Sequence, residues 1–154
     1  MRLLIHYVGD AHQPLHGVGR LDKKYPKGDK GGNDFPLPGH YGAKELHAVW
    51  DAVCYEFHVN PKQPFTADVW KQQGDFVAKL MKDHPKSSLP SITELDPYKW
   101  QEEYFKYASN FVYKGIKEGE KLPDDYVAKG REIAEIRLVT AGYRLANLLK
   151  SLKL

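Results

Sequence analysis

The chain has 154 residues, 42% hydrophobic and 28% charged, the make-up of one globular domain rather than two. Its net charge of +3 permits a nucleic-acid partner without arguing for one, and no apolar run approaches the ~20 residues that span a bilayer. A single cysteine, Cys54, excludes an internal disulfide framework and a zinc–thiolate cluster, and the apolar stretch after Met1 is too short for a signal peptide.

Residues 2–13 read as a short helix or the end of a longer one, limited by Pro14. Residues 17–42 read as a long loop carrying seven glycines together with Pro26, Pro36 and Pro38. Loops of this length inside a compact domain are usually functional. Helical spacing of Leu46, Val49, Trp50, Val53 and Phe57 predicts a helix over 43–58. A second amphipathic helix is expected over 66–83, with Thr66 as its cap, followed by a proline-punctuated connector over 84–96. Asp96 and Pro97 open a helix to about residue 116, whose Trp100, Tyr104 and Phe111 stripe reads as core packing. The longest helical pattern covers 124–152. No alternating strand pattern of useful length is visible, so the expected class is all-α, a single multi-helix domain.

Histidine is unevenly distributed: His6, His12, His16, His40, His47 and His58 all lie in the first 58 residues. His6 and Asp10 are four apart, as are His47 and Asp51, so on helices each pair shares a face. Imidazole with carboxylate is the donor set that suits Zn²⁺ when thiolates are absent. The Pro14 break could turn His16 towards the same pocket. A lone pair of this kind is ordinarily a surface hydrogen bond; two pairs, a third histidine and a glycine-rich loop set a metal site beside that reading. No His-Glu-x-x-His helix occurs, the stretch from Asp29 to Asp34 lacks the ligand alternation of an EF-hand, and the glycines are not followed by the Lys-Ser/Thr of a phosphate-cradling loop. Cys54, among apolar neighbours, reads as a packing residue rather than a nucleophile.

The run His6-Tyr7-Val8-Gly9-Asp10-Ala11-His12-Gln13-Pro14-Leu15-His16 resembles the signature of the zinc-dependent class I nucleases, the S1/P1 nuclease family. Gly31-Gly32-Asn33, then Leu46-His47-Ala48-Val49-Trp50-Asp51, then Ala141-Gly142-Tyr143-Arg144-Leu145-Ala146 follow in the family's order. The resemblance implies that His6 binds a first zinc and that Asp10 bridges it to a third, acting in catalysis through the metals and the water they activate. His16, His47 and Asp51 would bind the second zinc, the one well-formed site expected here. His12 matches no ligand position and is expected to cap or hydrogen-bond nearby; Asn33 would hold the loop or touch substrate; Trp50 is expected in the core. The family domain is longer, and its first portion supplies further ligands, so the chain reads as the carboxy-terminal part of such an enzyme, weakly active or inactive alone. The implied reaction is hydrolysis of single-stranded DNA or RNA and of 3′-nucleotides, with Tyr7, Phe35 and Tyr41 as candidate base-stacking residues. The resemblance also implies a secreted, cell-surface or lytic-compartment protein when full length. The alternatives are a zinc phospholipase C-like hydrolase, or a non-catalytic helical fragment binding metal or none.

Overall fold

The structure, a computed structural model, describes residues 2–57, 62–89 and 91–152. Its organising element is the last helix, α5 (Asp124–Ser151), entered from Pro123 and carrying Asp124 and Asp125 in its first turn and Lys150 in its last. Those charges oppose the partial charges of the helix ends. Its 28 residues reach about 42 Å, long enough to serve three separate packing sites. Towards its start, Tyr126, Ile133 and Ala134 join Leu15, Phe35, Leu46, Val49, Trp50 and Val112 in the largest apolar cluster. Val139 packs with Leu80, Leu89 and Ile92. Ala141 packs with Val8 and Trp100.

Around this spine stand α1 (Arg2–Asp10), α2 (Leu46–Asp51), α3 (Ala67–Asp83) and α4 (Pro97–Tyr107). The Thr66 hydroxyl accepts from the Val69 amide and caps α3; the Asp96 carboxylate accepts from the Tyr98 amide and caps α4. The fold is mostly helical, as expected, with helices close to the predicted spans at 66–83 and 124–152.

Three expectations need correction. The 17–42 loop is not strand-free: β1 (Pro36–His40) pairs antiparallel with β2 (Ala43–Glu45). No alternation betrays this hairpin, because it is fixed by its turn. Tyr41 and Gly42, between the paired His40 and Ala43, both take positive φ, the conformation of a tight hairpin turn. Prolines are tolerated because each strand is an edge.

The helix expected over 43–58 is only six residues long. Its first three residues belong to β2, and beyond Asp51 the chain makes a left-handed turn with Val53, Cys54 and Tyr55 all at positive φ. Such backbone costs on the order of 1–3 kcal/mol per residue and is offset by burying all three side chains. Gly130 makes room for it, since a Cβ there would lie 2.7 Å from the Cys54 sulfur. His58, at the end of the expected helix, lies outside the described residues.

The helix expected over 97–116 stops at Tyr107 and gives way to a single π-helical turn over Ala108–Val112. The Ser109 hydroxyl donates to the Phe105 carbonyl, competing with the backbone ladder at that junction.

Beneath α1 lies a buried charged network. The Glu103 carboxylate accepts from Arg137 Nη1 at 2.6 Å and from Arg144 Nη1 and Nη2 at 2.8 and 2.7 Å. Burial alone would raise the Glu103 pKa, but the two guanidinium groups outweigh it and hold the carboxyl at about 2. An unfolded glutamate titrates near its ordinary 4.5, so the unfolded chain binds the extra proton between those values. This contribution to stability is therefore full above pH ~4.5 and lost as pH falls towards 2. Denaturant titrations from pH 5 to 2.5 are expected to show falling stability, and Glu103→Gln, already weaker at pH 5, to show a shallower fall.

Candidate metal centre

Two short elements and one loop build the site. On α1, the four-residue spacing sets His6 Nε2 3.2 Å from Asp10 Oδ2. After α1 the chain turns over Ala11–Gly17 and brings His16 back, its Nδ1 3.4 Å from Asp10 Oδ1 and its Nε2 3.0 Å from Asp51 Oδ1. On α2, His47 Nε2 lies 3.6 Å from Asp51 Oδ2. The His16 and His47 rings stack nearly parallel, centroids 4.9 Å apart.

Among the described residues, His16, His47 and Asp51 form the one group of three metal-type side chains whose donor atoms all lie within 4.8 Å of one another. Two donors on a tetrahedral zinc, each about 2.1 Å from the ion, stand roughly 3.4 Å apart. His16 Nε2 lies 3.0 Å from one Asp51 oxygen and His47 Nε2 3.6 Å from the other, each within half an ångström of that value. Two imidazoles and a carboxylate are also the borderline donor set that zinc prefers, with a fourth position left over.

Neighbouring groups fix the orientation of these side chains. The Gly31 carbonyl can only accept, so His47 Nδ1, 2.8 Å away, carries a proton and Nε2 is the nitrogen turned towards Asp51. Gln13 donates from Nε2 to Asp51 Oδ1 at 2.9 Å, and its own carbonyl accepts from the Leu15 amide. For His16 the hydrogen bond to Asp51 is the largest influence and raises its pKa above the ordinary histidine value, against the effect of burial. For Asp51, burial pushes the pKa up, but the His16 and Gln13 hydrogen bonds and the nearby His47 outweigh it and hold the carboxyl low. The carboxylate is therefore ionised at neutral pH, as a ligand must be. A cavity of about 210 Å³ opens beside Asp10, His16 and Asp51, bounded by Trp50, Leu138 and Arg137.

The remaining sequence candidates fall as follows. His6 is exposed and touches Asp10, outside the three-donor group. Asp10 lies between His6 and His16, one oxygen towards each. His12 faces away from the donors and is buried. Its Nδ1 lies 2.7 Å from the Val8 carbonyl and its Nε2 accepts from Arg144 Nη1, so the ring is neutral. Burial and then the Arg137 charge depress its pKa to about 3. Asn33 donates from Nδ2 to the Lys30 carbonyl within the same loop. Trp50 is core, its Nε1 donating to the Tyr126 hydroxyl. Tyr7 and Tyr41 are exposed, but Phe35 is a correction: it is 1% exposed, sealed in the main cluster, and offers no face to a base. Burial pushes the Cys54 thiol up to about 12, which suits a packing residue and not a nucleophile. Sequence reasoning missed Gln13 and the Gly31 carbonyl; both sit inside recognisable motifs, but nothing in a motif says which residue orients which.

Gly31 itself is conformationally required. Its φ is +64°, and a Cβ would run into the Leu15 carbonyl oxygen and lie 3.1 Å from that of Val18. Gly31→Ala is expected to push the loop off His47, read as loss of the His47 Nδ1 hydrogen bond in the side-chain nitrogen shifts, and to weaken any metal binding through His47 about tenfold or more.

The S1/P1 nuclease family model matches residues 1–153. Endonuclease 1 of Arabidopsis thaliana is 32% identical over 151 residues, covering 95% of this chain and 47% of that protein. Endonuclease 4 of the same plant is 30% identical over 154 residues, covering 97% of this chain and 48% of its own length. Endonuclease 5 is 30% identical, with 95% and 48% covered. The chain thus spans about half the length of the curated relatives it matches.

Proposed function

Since the chain belongs to the S1/P1 nuclease family, we propose that His16, His47 and Asp51 hold a zinc ion and serve the hydrolysis of single-stranded DNA or RNA and of 3′-nucleotides. The observation that carries this reading is the three-donor group itself, with His47 Nδ1 held by the Gly31 carbonyl and Nε2 turned to Asp51. The names of the relatives, all endonucleases, support the substrate class.

When bound, zinc supplies Lewis acidity towards a phosphoryl oxygen and makes water acidic near neutral pH. The chain's own residues do the rest. With a metal bound, His16 and His47 would each give up a proton to offer a ring nitrogen, Asp51 would supply the compensating charge, and Gln13 would keep the Asp51 carboxylate from rotating. Asp10, set between His6 and His16, either orients His16 through Nδ1 or joins His6 in holding a further metal; the latter is the role proposed by family resemblance. Exposed Tyr7 and Tyr41 offer ring faces on which unpaired bases can stack, a mode open to single strands. Among the described residues no helix is long and apolar enough to cross a membrane. Zinc as the metal, the 3′-nucleotidase action and the secretory route of the full-length protein are parts of this proposal.

The experiment compares release of mononucleotides from single-stranded DNA and RNA, phosphate release from 3′-nucleotides, and hydrolysis of phosphatidylcholine, each with and without chelator. Chelator-sensitive nucleotide release, even at a low rate, is the expected result. Attack on phosphatidylcholine alone would favour a phospholipase, and no metal-dependent turnover with no metal uptake would leave a non-catalytic helical protein.

A further inference from the structure

We infer that Tyr113 and Asp29 are positioning residues for the site, setting the glycine loop that orients His47; the inference rests on the metal-site reading of His16, His47 and Asp51. Asp29 is completely buried and fixed from several directions. The Tyr113 hydroxyl donates to its Oδ1 at 3.1 Å and the Arg20 amide donates to the same oxygen at 2.9 Å. Its own amide donates to the Arg20 carbonyl, and its carbonyl accepts from the Asp34 amide. Two residues further on, the Gly31 carbonyl accepts from His47 Nδ1, and the Gly32 carbonyl accepts from the His47 amide at 3.3 Å. On its other side Gly31 rests against the Leu15 carbonyl, adjacent to His16. The loop is therefore a spacer between the two histidines, and Asp29 is its anchor.

Tyr113 directly follows the π-helical turn. The chain leaves that turn at Tyr113, whose direction differs from the one an uninterrupted α-helix would give it, and such turns recur at functional sites. Burial and the Asp29 carboxylate raise the Tyr113 pKa, so the phenol stays a donor at every working pH. The Arg20 guanidinium clamps the same loop, lying over the rings of Phe35, Tyr25 and Tyr113 at 5.0, 5.2 and 5.8 Å and bonding to Glu118. Asp29 Oδ2 has no hydrogen-bond partner among the described residues. A buried carboxylate with one oxygen unmatched is a poor choice for stability alone. It is consistent with a residue kept for where it places the loop.

Tyr113→Phe removes one hydroxyl and little else. The protein is titrated with Co²⁺ as a visible probe for the metal, and the side-chain nitrogen shifts of His47 are measured in the metal-free protein. Thr66→Ala, which removes a helix cap outside the site, serves as the control for a general loss of stability. Tyr113→Phe and Asp29→Asn are expected to weaken Co²⁺ binding about tenfold, to alter the Co²⁺ absorption band, and to admit the Nε2-protonated form of His47. Thr66→Ala is expected to change none of these. The inference is overturned if Tyr113→Phe keeps the affinity, the band and the His47 tautomer of the unaltered protein, or if Thr66→Ala reproduces its effects. Should the unaltered protein take up no Co²⁺, the metal reading fails by itself, and the His47 tautomer still decides the positioning role.

Discussion

Replacing His47 by alanine is expected to abolish the proposed zinc binding, weakening affinity by well over a hundredfold, and to remove any chelator-sensitive cleavage of single-stranded nucleic acid. The size follows from what is lost. Outer-shell partners of a metal ligand typically contribute about 10–100-fold in affinity, and His47 is proposed as a ligand itself. It is also the residue through which the glycine loop acts, so both arrangements fail together. The His47 ring is partly exposed and outside the main apolar clusters, so the variant is expected to melt within a few degrees of the parent. Equilibrium dialysis against buffered zinc, with a thermal melt on the same samples, separates loss of the site from loss of the fold. An unchanged zinc affinity would remove His47 from the site.

Arg144→Ala is expected to have the largest effect on stability, roughly 3–5 kcal/mol. Arg144 is fully buried and has no idle donor: Nε and Nη2 donate to the Ser91 carbonyl, Nη1 to His12 Nε2, and both Nη atoms to Glu103. Alanine strands the Glu103 carboxylate on Arg137 alone, leaves His12 Nε2 without its donor and opens a cavity between α5, α4 and the turn after α1. For a chain of this length the loss corresponds to a fall of about 6–20 °C in Tm. Calorimetry of Arg144→Ala beside Arg144→Met distinguishes the charge from the volume. The methionine variant restores part of the packing but not the hydrogen bonds, so a full recovery would show that volume mattered and the network did not.

The contrast between these two sites explains what could be read in the amino-acid order. Long helices with periodic apolar positions were legible: Thr66 marks the start of α3, and Asp96 with Pro97 marks the start of α4. The nearness of the histidines and aspartates was legible too, because His6–Asp10 and His47–Asp51 keep helical spacing and Pro14 breaks the chain before His16. The hairpin was not, since its register comes from two backbone angles at Tyr41 and Gly42 and not from alternating side chains. The early end of α2 was hidden for a related reason. Val53, Cys54 and Tyr55 look like a continuing apolar helix face, yet their burial is reached through a left-handed turn. Phe35 looked available to a nucleobase by nearness in sequence and is sealed by tertiary packing. The Gly31 carbonyl and the buried His12–Arg144–Glu103 network depend on contacts between distant segments, which spacing cannot reveal.

The proposed zinc position lies between His16, His47 and Asp51. It is tested most directly by crystals grown with zinc and measured on both sides of the zinc absorption edge. The expected result is an anomalous peak about 2.0–2.2 Å from His16 Nε2, His47 Nε2 and an Asp51 carboxylate oxygen. A zinc-loaded crystal with no peak there, or with its peak bound only by other residues, would contradict it.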